Sequence, residues 1–390
     1  MKRSQSDGPK QWGNRYQLKQ QGEESNNPCL FRSISLESGV KAITISPTIH
    51  PKFKTRETDK NDETKQKCGS SAVAVCNVGW ARGKLRKIGY YHPTQPGHVL
   101  FPKVQLEEML ARLTECFRAL SCHVLYEGER LGALCSTMEK VEFNVSFFEK
   151  DSQMIIVEVQ RRCGDSYVFH HDYARPIMAV IRGVRVNNLY RNLAWHETML
   201  LDRVKGGVSE QDIATAMDLA AQLVASDRLD ARQLGMESLV TLTDTKVTGW
   251  STASSVARAF IMPFDETSNK LANIMLRYLL NESSSDLTYL ALKMWSNVWQ
   301  VTAADTETPL ESFCDVLCPA DILMRCLIHR VEEFHQHPHE ATLALRGLTA
   351  LCREMPQLRT FVSWHTVEQA NAIGSTAALE QASRTFLEGR

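Results

Sequence analysis

The sequence lacks a long apolar run and an excess of charge of either sign. No hydrophobic stretch approaches the ~20 residues of a membrane-spanning helix, and no apolar segment of the secretory kind follows the basic start of the chain. Lysine and arginine together number 45, as do aspartate and glutamate, so no overall field attracts nucleic acid or an anionic membrane. Either role would need a local basic patch, and we expect no transmembrane segment.

Cysteine pairs with a recognisable spacing are also missing. The chain has 11 cysteines, an odd number, and no Cys-x-x-Cys pair of the kind that structural zinc sites usually contain. Scattered cysteines in apolar surroundings indicate reduced, buried thiols, which are typical of a reducing compartment. We therefore expect a cytoplasmic protein, with the nucleus as the alternative compartment.

The sequence also lacks the common catalytic motifs. There is no Gly-x-Gly-x-x-Gly fingerprint and no phosphate-binding Gly-Lys-Ser/Thr loop. His196 and His339 each precede a glutamate, but Leu200 and Leu343 stand where a zinc protease needs its second histidine. We therefore expect no catalytic residues, no enzyme activity and no cofactor.

Three alternating histidines are the remaining candidate for a metal site. Imidazoles as close together as His335, His337 and His339 suit a transition metal. Pro338 indicates instead a solvated connector between two helices, and the spacing implies no nearby carboxylate or thiol ligand. We therefore expect no bound metal here.

Residues 1–98 are rich in glutamine, serine, asparagine and lysine. Such a composition buries too little apolar surface to offset a chain entropy of ~1–2 kcal/mol per residue, so we predict a mostly disordered tail. Within it, residues 80–91 mix basic and aromatic side chains. They suit a docking motif, a platform that stacks nucleic-acid bases on Trp80, Tyr90 and Tyr91, or a plain basic linker.

Residues 99–184 change character and predict an α+β module. Pro102 marks the start of a helix whose apolar positions lie on one stripe: Leu106, Leu110, Leu113, Phe117 and Leu120. Four short strands are then predicted at residues 122–126, 131–135, 141–147 and 154–159. After Gly164 a second helical segment carries Phe169, Tyr173, Ile177 and Ile181. The order helix, four-strand meander, helix is typical of a two-layer fold.

The run VEVQRRCGDSYVF at residues 157–169 resembles the end of a known module. It is similar to the last strand and helix of the kinase-associated domain of AMP-activated-kinase relatives, where basic residues precede a Gly-Asp or Gly-Thr turn. Pro176 departs from the family pattern inside the expected last helix, and no kinase catalytic motif accompanies the module. Because that family binds anionic phospholipid head groups through basic residues, the resemblance implies a lipid ligand.

Five arginines of this region are the candidate contacts for an anionic ligand or partner. They are Arg161, Arg162, Arg175, Arg182 and Arg185. Each basic residue near an anionic leaflet contributes ~1 kcal/mol, so a patch of five would matter. The alternative is a solvated face held by salt bridges.

Residues 185–390 carry helical patterning without strands. Ser209 and Asp212 form a helix cap, and the following helix is expected to turn Ala231, Leu234 and Leu239 to one side. Further helices are predicted at residues 252–262, 269–280, 286–301, 320–335 and 340–355, with a start signal at residues 308–311.

The helix pairs recur every 35–40 residues, close to the ~40–47 residues of armadillo and HEAT repeats. The run DARQLGMESLVTL at residues 230–242 resembles an armadillo-type helix, in which small residues permit close packing. We therefore predict about four stacked pairs in an armadillo-like or HEAT-like domain. A generic irregular helical bundle is the alternative.

Two functions from different classes follow from these patterns. The first is a non-catalytic interaction scaffold or adaptor that binds an unidentified protein partner through the helical surface. The second is a peripheral regulator that binds anionic phospholipid through the arginine-rich module. Nucleic acid is not an expected partner.

Overall fold

The structure is a computed structural model of the chain. It describes residues 80, 84–89, 97–127, 129–186, 208–263, 266–281, 286–305 and 317–389. These residues belong to one compact unit, Lys67–Arg390, in which an antiparallel sheet precedes a series of helices. The predicted tail up to residue 79 and the predicted helix start at residues 308–311 lie outside the described residues.

Six strands form the sheet. They are β1 Arg86–Lys87, β2 Val99–Pro102, β3 His123–Tyr126, β4 Gly132–Ser136, β5 Glu142–Glu149 and β6 Met154–Cys163. Five of them run antiparallel in the order β2-β6-β5-β4-β3, and β1 pairs in parallel with the end of β5. The predicted four-strand meander is confirmed as β3 to β6, while β1 and β2 come from residues that the sequence pattern did not assign to strands.

Alternation along β5 explains which face of the sheet is covered. Phe143, Val145 and Phe147 are buried, and the residues between them are partly exposed. Because successive strand residues point to opposite faces, the aromatic and branched side chains share one face. The helices α1 to α3, described next, pack there, and we call β1 to β6 with α1 to α3 the sheet layer.

Helix α1, Leu106–Ala119, begins later than the predicted start at Pro102. Pro102 is instead the last residue of β2, and a 3₁₀ turn at Lys103–Gln105 joins the strand to the helix. The expectation was wrong because proline, which lacks an N–H, also suits an edge strand. The buried residues of α1 are Met109, Leu110, Leu113, Cys116 and Phe117.

The second helical segment of the layer continues through Pro176. It consists of α2 Ser166–Val168, a π-helical segment Phe169–Ala174, and α3 Arg175–Ile181. Proline removes one N–H donor, and its ring crowds the carbonyl four residues earlier, which here belongs to the π-helical segment. The wider π turns accommodate both effects. The helical segment therefore continues through Pro176 to Ile181.

The helical half of the structure contains ten α-helices among the described residues. They are α4 Glu210–Val224, α5 Leu229–Thr243, α6 Thr245–Thr248, α7 Trp250–Ile261, α8 Glu266–Leu280, α9 Asp286–Ala304, α10 Ala320–Glu332, α11 Pro338–Glu354, α12 Trp364–Ile373 and α13 Ala377–Glu388. The predicted cap at the start of α4 is confirmed, since the Ser209 hydroxyl accepts a hydrogen bond from the Asp212 N–H at 3.2 Å.

Most of these helices pack in consecutive pairs. The pairs are α4 with α5, α8 with α9, α10 with α11, and α12 with α13. The second helices of the pairs contact one another extensively in the order α5, α9, α11, α13, whereas the first helices touch more sparsely. We call α5, α9, α11 and α13 the helical row. The predicted helical C-terminal region is confirmed, and its repeat type stays a prediction.

Helix α9 forms the centre of the helical core. Its Trp295 and Trp299 are fully buried, and their rings stack with centroids 5.8 Å apart. Gly347 of α11 faces Trp299 so closely that a Cβ atom there would lie 2.8 Å from the ring. The spacing between α9 and α11 therefore requires a glycine.

Helix α5 turns a different face to the core than its sequence indicated. Leu234, expected inside, is 54% exposed, whereas Met236 is fully buried. The position of Gly235 accounts for this orientation, because a Cβ there would lie 2.8 Å from the main-chain nitrogen of Val224 and 2.9 Å from the Ala220 carbonyl oxygen. Helices α4 and α5 thus meet backbone to backbone at Gly235.

We predict that Gly235→Ala destabilises the protein by about 1–3 kcal/mol. The added Cβ meets main-chain atoms of α4, which have no alternative rotamer, so the helices must separate; this outweighs the ~1 kcal/mol that alanine gains in helix propensity. Urea unfolding followed by circular dichroism measures the change. Gln233→Ala, at an exposed position of the same helix, is the control and should change stability by less than about 0.5 kcal/mol. An unchanged free energy of unfolding in Gly235→Ala would contradict the close approach.

Candidate functional site

All five candidate contact arginines lie on the surface of the sheet layer. They are Arg161, Arg162, Arg175, Arg182 and Arg185. Arg161 donates a hydrogen bond from Nη1 to the carbonyl oxygen of Gly164. Within the described part of the chain, none of the five forms an ion pair. The expected alternative, a face held by salt bridges, therefore finds no support among these residues.

The five arginines are spread from the end of β6 along the helical segment of the sheet layer. Arg161 and Arg162 stand at the end of β6, immediately before the helical segment, whereas Arg182 caps the C-terminal end of α3. A helix rises ~1.5 Å per residue, so the two ends lie about 20 Å apart. Arg175 falls between them, and Arg185 follows Arg182.

A cavity of about 390 Å³ lies beside Arg161, between β6 and the helical segment. Its polar lining comes from Gln160, Arg161 and His170, and its apolar lining includes Phe169 and Met178. A guanidinium, an amide and an imidazole around one depression offer hydrogen-bond donors to a small anion.

Trp80 belongs to the core of the sheet layer and not to an exposed basic segment. It is buried, and its Nε1 donates a hydrogen bond to Thr114 Oγ1 at 2.9 Å. Its ring meets Tyr126 and Phe147 edge-on, with centroids 4.7 and 5.5 Å away. Trp80 is therefore not available to stack on a nucleic-acid base, and Tyr90 and Tyr91 lie outside the described residues.

The histidine stretch near the end of the chain is a solvated connector only in part, since His335 is exposed in the turn that follows α10. Pro338 begins α11, and His339 is buried against the sheet layer, where its Nε2 donates to the Ser136 carbonyl oxygen at 3.1 Å. Burial lowers the pKa of His339 to about 4, and the nearby His123 acts in the same direction. Among the residues that the structure describes, no cluster of side chains suits a metal ion.

His339 is part of a polar junction between the sheet layer and the helical row. The turn between β4 and β5 presents main-chain carbonyls to the N-terminal ends of α9 and α11. The Tyr289 hydroxyl donates to the Met138 carbonyl oxygen at 2.6 Å, and Lys293 Nζ lies 3.4 Å from the same oxygen. Lys140 Nζ bonds Asp286 Oδ1 at 2.9 Å and lies 4.1 Å from the Tyr289 ring centroid.

Glu139 adds a carboxylate to this junction. The Tyr173 hydroxyl donates a hydrogen bond to it from the sheet layer. Burial and the negative charge of Glu139 both raise the pKa of Tyr173, and they raise the pKa of Tyr289 as well. Both phenols therefore stay protonated and act as hydrogen-bond donors.

A polar groove of about 510 Å³ crosses the helical row away from this junction. Its lining residues come mainly from α9, α11 and α13: Lys246, Gln300, Ala303, Arg346, Thr349, Ala350, Arg353, Gln381, Ala382 and Thr385. The lining contains three cationic side chains and no carboxylate.

Sequence reasoning did not find the polar groove. Arg346, Thr349 and Arg353 lie three and four residues apart on α11, which is the spacing of one helix face. Such a polar stripe usually marks a solvated face. Only the packing of α9 and α13 on either side turns that stripe into the wall of a groove.

Comparisons with protein-family models, with curated proteins and with solved structures give no match to this chain. The resemblances to armadillo or HEAT repeats and to the kinase-associated domain stay predictions. Among the described helices, none combines the length and the apolar character that crossing a membrane requires.

We predict that His339 makes stability depend on pH between 6.5 and 4. The unfolded chain protonates this residue near pH 6.5, whereas the folded protein keeps it neutral down to about pH 4. The stability is therefore present above pH 6.5 and is lost as the pH falls, by about 2–3 kcal/mol at pH 4.5. His339→Gln keeps a donor for the Ser136 carbonyl oxygen but does not titrate, so its stability should fall less.

Urea unfolding at pH 7 and pH 4.5 compares the wild type with His339→Gln. His335→Gln is the matched control, because His335 is exposed and should leave the pH dependence unchanged. The assignment fails if the wild type and His339→Gln lose the same stability on acidification.

Proposed function

We propose that the chain is a non-catalytic protein-interaction scaffold or adaptor, and that the helical row provides its binding surface. The observation that carries the proposal is the polar groove, because residues from three successive helices of the row line it. Stacked helical repeats create extended binding surfaces of this kind along one row of helices.

The packing of the helices supports an armadillo-like or HEAT-like stack. Each helix of the row contacts the next, so the apolar face that one pair leaves uncovered is buried by its neighbour. Gly235 and Gly347 allow close approach within the first pair and between the second and third. Helix α7, which packs on both α5 and α9, departs from a plain two-helix repeat.

The groove suits a protein partner because it combines polar rims with short side chains. One alanine from each of three helices, Ala303, Ala350 and Ala382, lines it. Short side chains leave room for the main chain of a partner to come close. The amide of Gln381 offers both a donor and an acceptor to such a main chain, and Gln300, whose Nε2 donates to Ser296, offers its Oε1 as an acceptor.

A second candidate function is a peripheral regulator that binds anionic phospholipid through the sheet layer. The observation in its favour is that the five exposed arginines form no ion pair within the described residues. The cavity beside Arg161 adds donors for one head group. The order of helix, four-strand meander and helix supports the likeness to the kinase-associated domain.

We predict that blocking the groove removes the protein partners of the scaffold. Thr349→Trp places a large uncharged side chain in the groove, so partners captured by the full-length chain should be lost. Quantitative mass spectrometry of affinity-captured proteins measures the loss. Leu219→Trp is the control, because Leu219 is 56% exposed on α4, outside the row. A set of partners that Thr349→Trp leaves intact contradicts a scaffold built on this groove.

The lipid function predicts salt-sensitive flotation of the full-length protein with anionic liposomes. Reversing the charge at Arg161 and Arg162 should weaken flotation more than reversing Arg182 and Arg185, because only the first pair includes a residue that lines the cavity, Arg161. Reversing all four should abolish it. Protein that stays at the bottom of the gradient with anionic liposomes at low salt rules the lipid function out.

A further inference from the structure

We infer that the polar groove binds an extended acidic segment of a partner protein. This inference rests on the proposed scaffold function and names the chemistry of the partner. The residues that carry it are Arg346 and Arg353, together with the two glutamines that line the same groove.

The charge of the groove favours an anionic partner. Two of its three cationic residues, Arg346 and Arg353, lie on α11 and the third lies on α6, and the lining residues include no aspartate or glutamate. Glu354 lies next to Arg353 and accepts a hydrogen bond from its Nε at 3.2 Å, so it offsets part of that charge from outside the lining. Arg346 forms no ion pair among the described residues, so its guanidinium can pair with a carboxylate in bidentate fashion.

Arg346 strengthens this preference because it is partly desolvated. Burial lowers its pKa, and the negative charge of Glu139 and Asp244 and the hydroxyl of Tyr289 act against that shift. A buried guanidinium is stabilised by each further anion that approaches it. A carboxylate that binds in the groove would accept hydrogen bonds from Arg346 and so compensate for the hydration that its guanidinium loses on burial.

The other polar groups favour an extended main chain. Gln300 donates from Nε2 to the Ser296 carbonyl oxygen at 2.9 Å, which leaves its Oε1 to accept an N–H from a bound segment. The Thr349 hydroxyl donates to the Leu345 carbonyl oxygen at 2.7 Å, so its oxygen also acts as an acceptor. The groove therefore offers hydrogen-bond acceptors for the backbone N–H groups of a bound segment, and cationic side chains for its carboxylates.

The size of the groove sets the length of the segment. Packed helices lie ~8–10 Å apart, so a path from α9 to α13 across α11 spans about 20 Å. An extended chain rises ~3.3 Å per residue and crosses this distance in about six residues.

The same lining argues against nucleic acid as the occupant. Single-stranded nucleic acid is usually held by aromatic side chains on which its bases stack. The residues that line this groove include no aromatic side chain. A nucleic-acid strand would therefore gain only backbone attraction, which a competing oligonucleotide can measure.

Fluorescence anisotropy with the full-length protein tests the inference. The probe is a labelled peptide of about twelve residues with alternating glutamate and serine, long enough to cross the groove. We expect binding at about 50 mM NaCl that weakens about tenfold at about 300 mM NaCl, because exposed charges are screened. The same peptide with lysine in place of glutamate should not bind.

Substitutions locate the binding on the molecule. Arg353→Gln should weaken binding about fivefold, and adding Lys246→Gln should weaken it further. Arg325→Gln is the matched control, since this exposed arginine lies on α10, outside the row, and pairs with Asp321. Circular dichroism confirms that each variant is folded.

Three results would overturn the inference. They are no binding of the acidic peptide at low salt, an equal loss in Arg325→Gln and Arg353→Gln, and equal affinity for a thymidine oligonucleotide of matched charge. The capture experiment with Thr349→Trp remains a separate test of the scaffold. Partners lost in that variant, without any binding of the acidic peptide, would leave the scaffold standing and remove only the acidic partner.

Discussion

The hydrogen bonds between the β4–β5 turn and the N-terminal ends of α9 and α11 join the two halves of the structure. The carbonyl oxygens of Ser136 and Met138 accept from His339 and Tyr289, and a buried polar group left without a partner costs about 1–3 kcal/mol. Lys140 in the same turn has a φ angle of 59°, a left-handed conformation that costs ~1–2 kcal/mol for residues other than glycine. Its contacts with α9 hold it there, so the turn and the helix ends stabilise each other.

The junction and the polar groove share α9 and α11, and Arg346 links them. The pKa of this arginine responds to Glu139 and Tyr289 on the junction side, while its side chain lines the groove. Charge placed in the groove therefore acts on a residue that also interacts with the sheet layer. The polar groove and the contact between the two halves are electrostatically connected.

The elements that the sequence predicted correctly are those determined by residues close together in the chain. The cap at Ser209, the alternation along β5 and the approximate bounds of most helices depend on neighbouring residues, and the structure confirms them. The failures concern contacts between distant segments. Trp80 is held by α1, His339 by β4, and the orientation of α5 by a close approach to α4. No local pattern shows which distant residue will cover a side chain.

The same limit applies to the candidate sites. Sequence found the five arginines because they cluster along the chain, but it could not show that a helix of about 20 Å separates them. It missed the polar groove because Lys246, Arg353 and Gln381 come together only after the helices pack.

The π-helical segment is a different case, because the spacing of its apolar residues is visible in the sequence. Phe169, Tyr173, Ile177 and Ile181 recur at strict steps of four. An ordinary helix of 3.6 residues per turn rotates each such step by about 40°, and three steps would carry Ile181 about 120° away from the core. The π-helical segment has more residues per turn, so it cancels part of that rotation. The four apolar residues therefore stay on one side of the helix although they are spaced by four.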